Sequence, residues 1–452
     1  QEAKQAKAAA VLESFSKQTS SRQQTVEQIQ REREKERQAE RDAERAEWVQ
    51  KADSEIHRAV LLNDPKRLEN LVQNGADLNA VCKLFLGQMF TPLQTAVYLN
   101  DLPMARRLIQ LKADVNYRRP PDQWTALHLA TQLGLLDMVK LLADAGADLR
   151  AEDASQNTPF FTAAIFGKKE LILFYLQNGF RVDELHPKTG ETVLHKAAYN
   201  HGPIQFFLDL GVPVNARDNG GFTPLHEAVV LYDNPSKLRV LVDYGADVNA
   251  ASNSGITPLH QAARFENIHS IEFLLQHGAN IHAQEHKGNT PLFWAPAQKY
   301  LFELFLKYGA NPNQQNQEGF TLLHALLDRD SFSSQKADIL TLLLDAGADV
   351  NKTDNEGQTP LFYAVRRDQE ECLRILLEAG ANPNHFDKYG RTPLWSACSK
   401  ANPQAVKILL EYGADPALKN ESGKTPFETA LIPEEDKEII NKEIPPEIFQ
   451  LK

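Results

Sequence analysis

The stretch GITPLHQAA at residues 255–263 decides the fold, together with the Gly-Ala-Asn turn that begins at Gly278. A residue that can take the place of Thr257 recurs along the chain at spacings between 31 and 38 residues. The twelve positions are Ser54, Thr91, Thr125, Thr158, Thr192, Thr223, Thr257, Thr290, Thr321, Thr359, Thr392 and Thr425. A fixed period near 33 residues indicates a solenoid, in which each repeat packs against its neighbours.

The local chemistry of one repeat predicts two short helices. The Thr257 hydroxyl can accept a hydrogen bond from an amide of the first helical turn, and Pro258 at the first helical position has no donor to lose. The second helix carries apolar side chains at Ile271, Phe273, Leu274 and Leu275. Gly278 follows, where a left-handed residue commonly ends a helix. Each repeat is therefore predicted to be two antiparallel helices and a hairpin, which cannot bury its apolar face alone.

The repeated motif resembles the ankyrin-repeat family. The residues that carry the resemblance are the Thr-Pro-Leu-His stretches at Thr257 and Thr223 and the Gly-Ala-Asp-Val-Asn turns that begin at Gly245 and Gly347. The resemblance covers residues 52–432 in about twelve repeats. It implies an all-α fold, a solenoid of helix-turn-helix plus β-hairpin units.

Segments outside or within the solenoid depart from the repeat. Residues 1–51 are predicted to form a charged helical extension, because residues 1–50 hold ten basic and ten acidic side chains and no Gly or Pro. Three alternatives are open for this helix: it is solvated, it packs on the groove of the solenoid, or it self-associates. Irregular spacing at residues 290–350 predicts a bend or hinge, with a tolerated irregularity as the alternative. Residues 433–452 are predicted to be an acidic capping helix and an extended tail.

Composition limits the compartment and the partners. The net charge of the 452 residues is −11, which disfavours nucleic acid as the main partner. No apolar run approaches the roughly 18 residues of a membrane helix, so no membrane insertion is predicted. Three cysteines far apart in sequence favour a reducing compartment, which predicts a cytoplasmic protein, with the nucleus as the alternative. Because the chain begins with Gln1, we expect it to be a piece of a longer protein.

No motif predicts catalysis, a metal site or a cofactor. Six of the thirteen histidines occupy one position of the repeat, which indicates a structural role. The chain has no His-Glu-x-x-His, Cys-x-x-Cys or Gly-x-Ser-x-Gly motif. The sequence GKT at residues 423–425 resembles the end of a phosphate-binding loop, but Leu418 stands where that loop requires glycine.

The resemblance implies which side chains contact a partner. In that family, partners are held on the concave side by hairpin tips, the residue before the Thr position and two residues after the Ala-Ala pair. The predicted contacts carried over to this chain are Phe90, Tyr98, Trp124, Leu133, Phe166, Tyr199, Phe222, Leu231, Ile256, Phe265, Trp294, Arg329, Tyr363, Arg366, Arg367 and Arg391. They are mostly apolar in the front half and mostly basic from Arg329 onward.

These side chains predict a protein-interaction scaffold whose concave groove binds a protein or peptide with an acidic segment. Apolar groups in such a groove mark a binding site, and arginines suit carboxylate or phosphate groups. Alternatively, the large side chains cover neighbouring repeats or are covered by residues 1–50. A second hypothesis is the recognition arm of a larger enzyme or secreted effector. A third is a structural role, with residues 1–50 as an oligomerising helix.

Overall fold

The chain divides into two compact units, Gln1–Arg181 and Val182–Lys452. The computed structural model describes residues 48–428 except 51, 53, 85–87, 201, 232 and 330–334. Residues 1–47 of the helix predicted for residues 1–51, and the capping helix and tail predicted for residues 433–452, therefore lie outside the described residues.

The first unit contains helix pairs and one short hairpin, as the repeat predicts. Its elements are α1 (Glu55–Leu61), α2 (Pro65–Gln73), β1 (Cys82–Lys83), β2 (Met89–Phe90), α3 (Pro92–Tyr98), α4 (Leu102–Gln110), α5 (Ala126–Leu133), α6 (Leu136–Asp144), α7 (Pro159–Ile165) and α8 (Lys169–Gln177). Strands β1 and β2 pair antiparallel, with Cys82 opposite Phe90. Cys82 and Leu84, in the segment before Thr91, are buried and so pack against this unit.

The second unit continues the helix pairs. Its elements are α9 (Val193–Tyr199), α10 (Ile204–Asp209), α11 (Pro224–Ala228), α12 (Pro235–Asp243), α13 (Pro258–Arg264), α14 (Ile268–Gln276), α15 (Pro291–Trp294), α16 (Lys299–Lys307), α17 (Leu322–Asp328), α18 (Lys336–Asp345), α19 (Pro360–Arg366), α20 (Glu370–Glu378), α21 (Pro393–Ser399) and α22 (Pro403–Glu411). The all-α fold of repeated helix pairs is confirmed.

Two helical layers run through each unit. The first helices of successive repeats pack on one another, as α13 does on α15 and α17 does on α19. The second helices form the other layer, in which α16 packs on α18 and α20 on α22. Ala262 and Ala263 are fully buried in α13, and their small side chains allow neighbouring first helices to approach closely. The residues before the Thr position and after the Ala-Ala pair therefore flank the first-helix layer.

The histidines of the motif join successive repeats. His226 Nε2 lies 2.9 Å from the Ile256 carbonyl oxygen. Because a carbonyl only accepts, Nε2 carries the proton and Nδ1 is an acceptor, which takes the Thr223 N–H at 3.0 Å. The same bond joins His57 to Phe90, His128 to Asn157, His195 to Phe222, His260 to Asn289 and His324 to Gln358. The structural role predicted for these histidines is confirmed.

Asparagines at the hairpin bases form a second series of links. Asn249 Nδ2 donates to the Gly278 carbonyl at 3.0 Å, and its Oδ1 accepts from the Asn280 amide at 2.7 Å. The side-chain amide of each asparagine thus donates to a carbonyl that follows the second helix of the next repeat and has no helical partner. Equivalent bonds join Asn116 to Gly146, Asn215 to Gly245, Asn313 to Gly347, Asn351 to Gly380 and Asn384 to Gly413.

The two irregular repeats of residues 290–350 compensate each other. Helix α15 is only four residues long and ends at Trp294, and its C-cap Ala295 immediately precedes Pro296. The Arg329 guanidinium donates to the carbonyls of Ala295, at 2.7 Å, and Phe293. Gln335 Oε1 accepts from the Lys299 amide at the start of α16, at 2.8 Å. These bonds support the tolerated irregularity, and the hinge stays a prediction.

Trp48 attaches the end of the N-terminal extension to the first unit. The indole is buried, and its ring centroid lies 5.1 Å from that of Tyr98. The Trp48 carbonyl accepts from the Ala52 amide at 2.8 Å, which continues the chain toward α1. Trp48 therefore covers part of Tyr98, which the sequence predicts to contact a partner.

Candidate partner-binding site

The predicted contact residues differ widely in exposure. Phe166, Leu231 and Phe265 are exposed by 42%, 43% and 42% respectively, which is unusual for large apolar side chains in a buried repeat motif. Tyr98, Trp124, Leu133, Tyr199, Phe222, Ile256 and Trp294 are half-buried. The first group can donate most of its apolar area to a partner, and the second group can contribute an edge or a face.

Phe90 and Tyr363 are buried, with 1% and 3% of their surface exposed, so neither ring offers a partner much area. The Phe90 ring lies 4.8 Å below the Arg119 guanidinium carbon. The Tyr363 hydroxyl donates to Asp354 at 2.5 Å, and Arg366 covers the ring at 4.1 Å. Both rings are thus enclosed by polar neighbours that the repeat register alone does not predict.

In the first unit, Trp124 is held in a fixed orientation. Its indole Nε1 donates to Asp153 Oδ2 at 3.2 Å, and its ring stacks on His128 with centroids 6.0 Å apart. The Arg119 guanidinium carbon lies 5.6 Å from the same ring. Phe166 at the end of α7 is the exposed apolar group of this unit among the predicted contacts. The first unit therefore presents one exposed aromatic ring, Phe166, and one constrained indole, Trp124.

In the second unit, aromatic rings flank the motif histidines. The Phe222 ring meets His226 edge-on with centroids 5.3 Å apart, and the Trp294 ring meets His260 at 5.6 Å. Between two of these repeats, the guanidinium carbon of Arg264 lies 5.7 Å from the Phe265 ring and 5.8 Å from the Trp294 ring. Arg264 thus links two predicted contacts by cation–π interactions.

A cleft of about 500 Å³ opens beside these rings. Its lining includes Arg264, Lys287, Trp294, Phe320, Asp328 and Arg329. A cleft with aromatic walls and a few polar groups is the usual form of a recognition site. Trp294 and Arg329 belong to the predicted contacts. Arg264 follows the Ala-Ala pair and Phe320 precedes a Thr position, so their motif positions indicate a contact role although neither is among the predicted contacts.

Arg329 is half-buried, its guanidinium has partners in the same chain, and its role as a basic contact stays a prediction. Its guanidinium is used by the carbonyls of Phe293 and Ala295, and burial lowers its pKa. Pro296 shortens α15 and so leaves these carbonyls without helical partners. The hydrogen bonds of Arg329 depend on the unpaired carbonyls of the preceding repeat. The position of Arg329 in its own repeat does not predict them.

The other predicted arginines are paired with carboxylates of the same chain. Arg366 and Arg367 both contact Asp328 Oδ1, at 3.1 and 3.0 Å. Arg391 contacts Asp387 at 2.7 Å, and this aspartate is fully buried beneath it. The basic surface therefore carries less net positive charge than the arginine positions alone predict.

An acidic cluster lies at the other end of the second unit. Burial, together with the carboxylates of Glu191 and Asp218, raises the pKa of the Glu227 carboxyl to about 7. Lys196 pairs with Glu191 at 2.5 Å, and a Glu227 carboxyl with this pKa is about half protonated near pH 7. Carboxylates therefore precede the exposed apolar side chains along this unit, and arginines follow them.

The described residues carry little that suggests metal or thiol chemistry. Among residues 48–428, apart from the gaps given above, no three His, Cys, Asp or Glu side chains are arranged to hold a metal ion. Cys82, Cys372 and Cys398 are buried free thiols. Burial raises the pKa of Cys372 to about 11 and that of Cys398 to about 12, which keeps both protonated and unreactive near neutral pH.

No helix among the described residues has the length and the apolar character needed to cross a bilayer.

Known proteins share segments with this chain. An ankyrin repeat protein of fowlpox virus, FPV031, is 32% identical over 113 residues, which are 24% of this chain and 33% of that protein. Palmitoyltransferase AKR1 of Lachancea kluyveri is 29% identical over 192 residues, 39% of this chain and 25% of that protein. The chain thus spans a third or less of these relatives. The human ASB11 ankyrin repeat domain superposes with a TM-score of 0.43 and 25% identity, covering 50% of this chain and all 100% of that domain.

The family model for ankyrin repeats in three copies matches most of the chain. The matched residues are 56–153, 160–252, 230–316, 297–387 and 331–420. The matches contain the helix pairs, the histidine links and the asparagine links described above. The chain belongs to the ankyrin-repeat family.

Proposed function

We propose that the second unit binds an extended segment of a partner protein along its first-helix layer. Ankyrin repeats generally mediate protein–protein interaction. The observation that carries the proposal is the exposure of Leu231 and Phe265, by 43% and 42%, on the layer that also holds the 500 Å³ cleft. Exposed apolar groups in a continuous line commonly mark an interface, and aromatic anchors carry much of the binding energy.

Charge gives the bound segment a direction. Glu227 and Asp218 lie at the start of the second unit, and Arg366 and Arg391 lie near its end. A partner with basic residues at one end, apolar residues in the middle and acidic residues at the other end fits this order. The acidic part of the partner would meet Arg366, Arg367 and Arg391, whose internal carboxylate partners already neutralise part of their charge.

The first test removes the exposed apolar side chains. We expect the double variant L231A/F265A to retain partner proteins from a cell lysate at least about tenfold less well than the unaltered chain, because two anchors worth about 1 kcal/mol or more each are lost. Quantitative mass spectrometry of the retained proteins measures the effect.

A matched variant controls for nonspecific loss of apolar surface. Leu210 and Tyr244 are exposed by 36% and 40% and lie at the ends of α10 and α12, in the second-helix layer of the same unit. L210A/Y244A should retain the same proteins as the unaltered chain. Equal retention by both double variants would rule out the proposed surface.

A second candidate function is the recognition part of a larger enzyme. Its support is the similarity to palmitoyltransferase AKR1, of which the aligned segment is only 25%. In that case the same surface would bind a substrate protein, and the catalytic residues would belong to another part of the enzyme. Sequencing the complete reading frame distinguishes the two functions.

A further inference from the structure

The 500 Å³ cleft interrupts a row of side chains on the first helices. The position directly after the histidine position of the motif carries Trp294 and Tyr363 in two repeats and Ala325 in the repeat between them. Both rings pack back onto the preceding repeat: the Trp294 centroid lies 5.6 Å from that of His260, and the Tyr363 centroid lies 5.2 Å from that of Phe320. Ala325 has no ring to place there, and it lines the cleft.

The walls of the cleft show what would fit in front of Ala325. By the same register, a ring at this position would pack against Asn289 and Phe293, and both residues line the cleft. Trp294 and Phe320 add aromatic surface to the lining. Ligand sites commonly have volumes of about 300–1,000 Å³, so the cleft has room for a side chain and the backbone next to it. Its walls are those of a site for an aromatic ring.

Two cations at the cleft suit the face of such a ring. Arg264 and Lys287 line the cleft, and both side chains are exposed. The Arg264 guanidinium carbon lies 5.8 Å from the Trp294 ring. Within the described part of the chain, neither cation forms an ion pair. Because the face of an aromatic ring attracts cations, a further ring in the cleft is complementary to both charges.

The acidic side chains of the lining favour a ring that carries a donor. Asp328 pairs with Arg366, and Arg329 donates to backbone carbonyls, so these two side chains are bonded within the chain. Glu318 is exposed and has no ion-pair partner among the residues that the structure describes. A carboxylate accepts an indole N–H or a phenol O–H, which phenylalanine lacks.

We propose that the cleft in front of Ala325 receives a tryptophan or tyrosine side chain of the partner segment. This ring takes the place that Trp294 and Tyr363 occupy in their own repeats. An aliphatic side chain offers no aromatic face to Arg264 and Lys287 and fits less well. This inference rests on the proposed function, because the ring belongs to the segment that the second unit holds.

The direct test adds N-acetyl-L-tryptophanamide to the isotope-labelled full chain. The indole N–H resonance of Trp294, assigned by its absence in W294F, should move and saturate. N-acetyl-L-leucinamide should bind at least about fivefold more weakly, because it has no aromatic face for the walls and the cations. Equal binding of the two amides, or an unmoved Trp294 resonance, would overturn the proposal.

The variant A325Y fills the cleft from within the chain. It places a phenol at the position that Tyr363 holds in the next repeat, so we expect it to unfold in urea as the unaltered chain does or at a higher concentration. Its Trp294 resonance should no longer respond to the tryptophan amide. The smaller filling in A325L should weaken binding in the same direction and serves if A325Y does not fold. A full response in a folded filling variant would contradict the proposal.

S396Y is the matched control for A325Y. Ser396 holds the same position of the motif in a later repeat and is also half-buried. The same side chain is thus introduced at the same register but away from this cleft. S396Y should leave the response of Trp294 to the tryptophan amide unchanged, and an equal loss in S396Y would contradict the assignment to the cleft.

Partner retention separates this inference from the proposed function. Retention that is lost in L231A/F265A but kept in folded A325Y overturns the aromatic anchor alone. Retention that is lost in A325Y but kept in L231A/F265A and S396Y supports the anchor and overturns the surface at Leu231 and Phe265. Retention that is kept in both A325Y and L231A/F265A overturns both proposals.

Discussion

At about pH 5 the second unit is expected to unfold at a much lower urea concentration than at about pH 7.5. Burial lowers the pKa of His195, His226, His260 and His324, while the unfolded chain has the ordinary value near 6.5. A lowered histidine pKa leaves the stability intact above about 6.5 and reduces it as the pH falls toward the folded value, because only the unfolded state takes up the proton.

The magnitude can be given for His226, whose pKa falls to about 4. At pH 5 His226 lowers the free energy of unfolding by about 2 kcal/mol relative to neutral pH. This is 1.36 kcal/mol per pH unit over the roughly 1.5 units between pH 6.5 and pH 5. Glu227 acts in the opposite direction: its pKa is raised to about 7, so its contribution is fully present below about 4.5 and is lost as the pH rises through 7. At pH 5 Glu227 offsets about as much as His226 contributes, so the net destabilisation by acid comes from the lowered pKa values of His195, His260 and His324.

The chain itself supplies the control for this prediction. Gln94 occupies the histidine position of its repeat, accepts from the Thr91 amide at 3.1 Å and donates to the Trp124 carbonyl at 2.8 Å. Glutamine therefore makes both histidine bonds without titrating. The variant H195Q/H226Q/H260Q/H324Q should keep most of its stability at about pH 7.5 and lose much less at about pH 5. Equal losses in the variant and the unaltered chain, followed by circular dichroism, would refute the histidine explanation.

Replacing Arg329 by Met should destabilise the repeats of residues 290–345 by about 2–4 kcal/mol. The substitution keeps an apolar stem but removes the donors that satisfy the carbonyls of Phe293 and Ala295. Both residues are buried, and each unsatisfied carbonyl costs about 1–3 kcal/mol. Hydrogen exchange should show faster exchange of the α15 and α16 amides, because a repeat stack unfolds locally when one junction weakens.

R374M provides the comparison, since Arg374 and Glu411 form an exposed pair that contributes at most about 1 kcal/mol. Its exchange pattern should match that of the unaltered chain. If R329M left protection at residues 290–345 unchanged, the compensation between the two irregular repeats would be incorrect. Uniform protection from repeat to repeat in the unaltered chain would in addition argue against the predicted hinge.

The sequence predicts most of the fold because one register fixes many contacts at once. Thr257, Pro258 and Gly278 mark the helix ends, and the structure begins α13 at Pro258 and gives Gly278 a left-handed φ of 86°. Thr257 is the N-cap and forms a capping box with His260, and its hydroxyl also lies 2.9 Å from His260 Nδ1, a contact that the sequence does not predict.

The hairpins are also simpler than predicted. Among the described residues, β1 and β2 form the two-stranded sheet, and Arg119 and Trp124 form an isolated bridge. Elsewhere two backbone bonds close the turn, as from the Ser252 amide to the Ile256 carbonyl at 2.8 Å and from the Gly255 amide to the Ser252 carbonyl at 2.9 Å. The repeat period predicts the turn but not how many ladder bonds follow it.

The candidate site was harder to predict because exposure depends on neighbours about 30 residues away. Phe90 is covered by Arg119, and Arg329 fills a gap that Pro296 creates in the preceding repeat. Position within the motif does not encode such pairings. By contrast, Leu231 and Phe265 are exposed as their positions predict. Motif position therefore predicts the contact layer, while the individual contacts require the structure.

Site-specific photocrosslinking tests the central claim most directly. A photoreactive phenylalanine at Phe265, in the first-helix layer, is compared with one at Tyr244, which has a similar exposure of 40% and lies in the second-helix layer. The account predicts that the partner retained by the unaltered chain is crosslinked from position 265 and not from position 244. Crosslinking of that partner from position 244 alone, or equally from both positions, would contradict it.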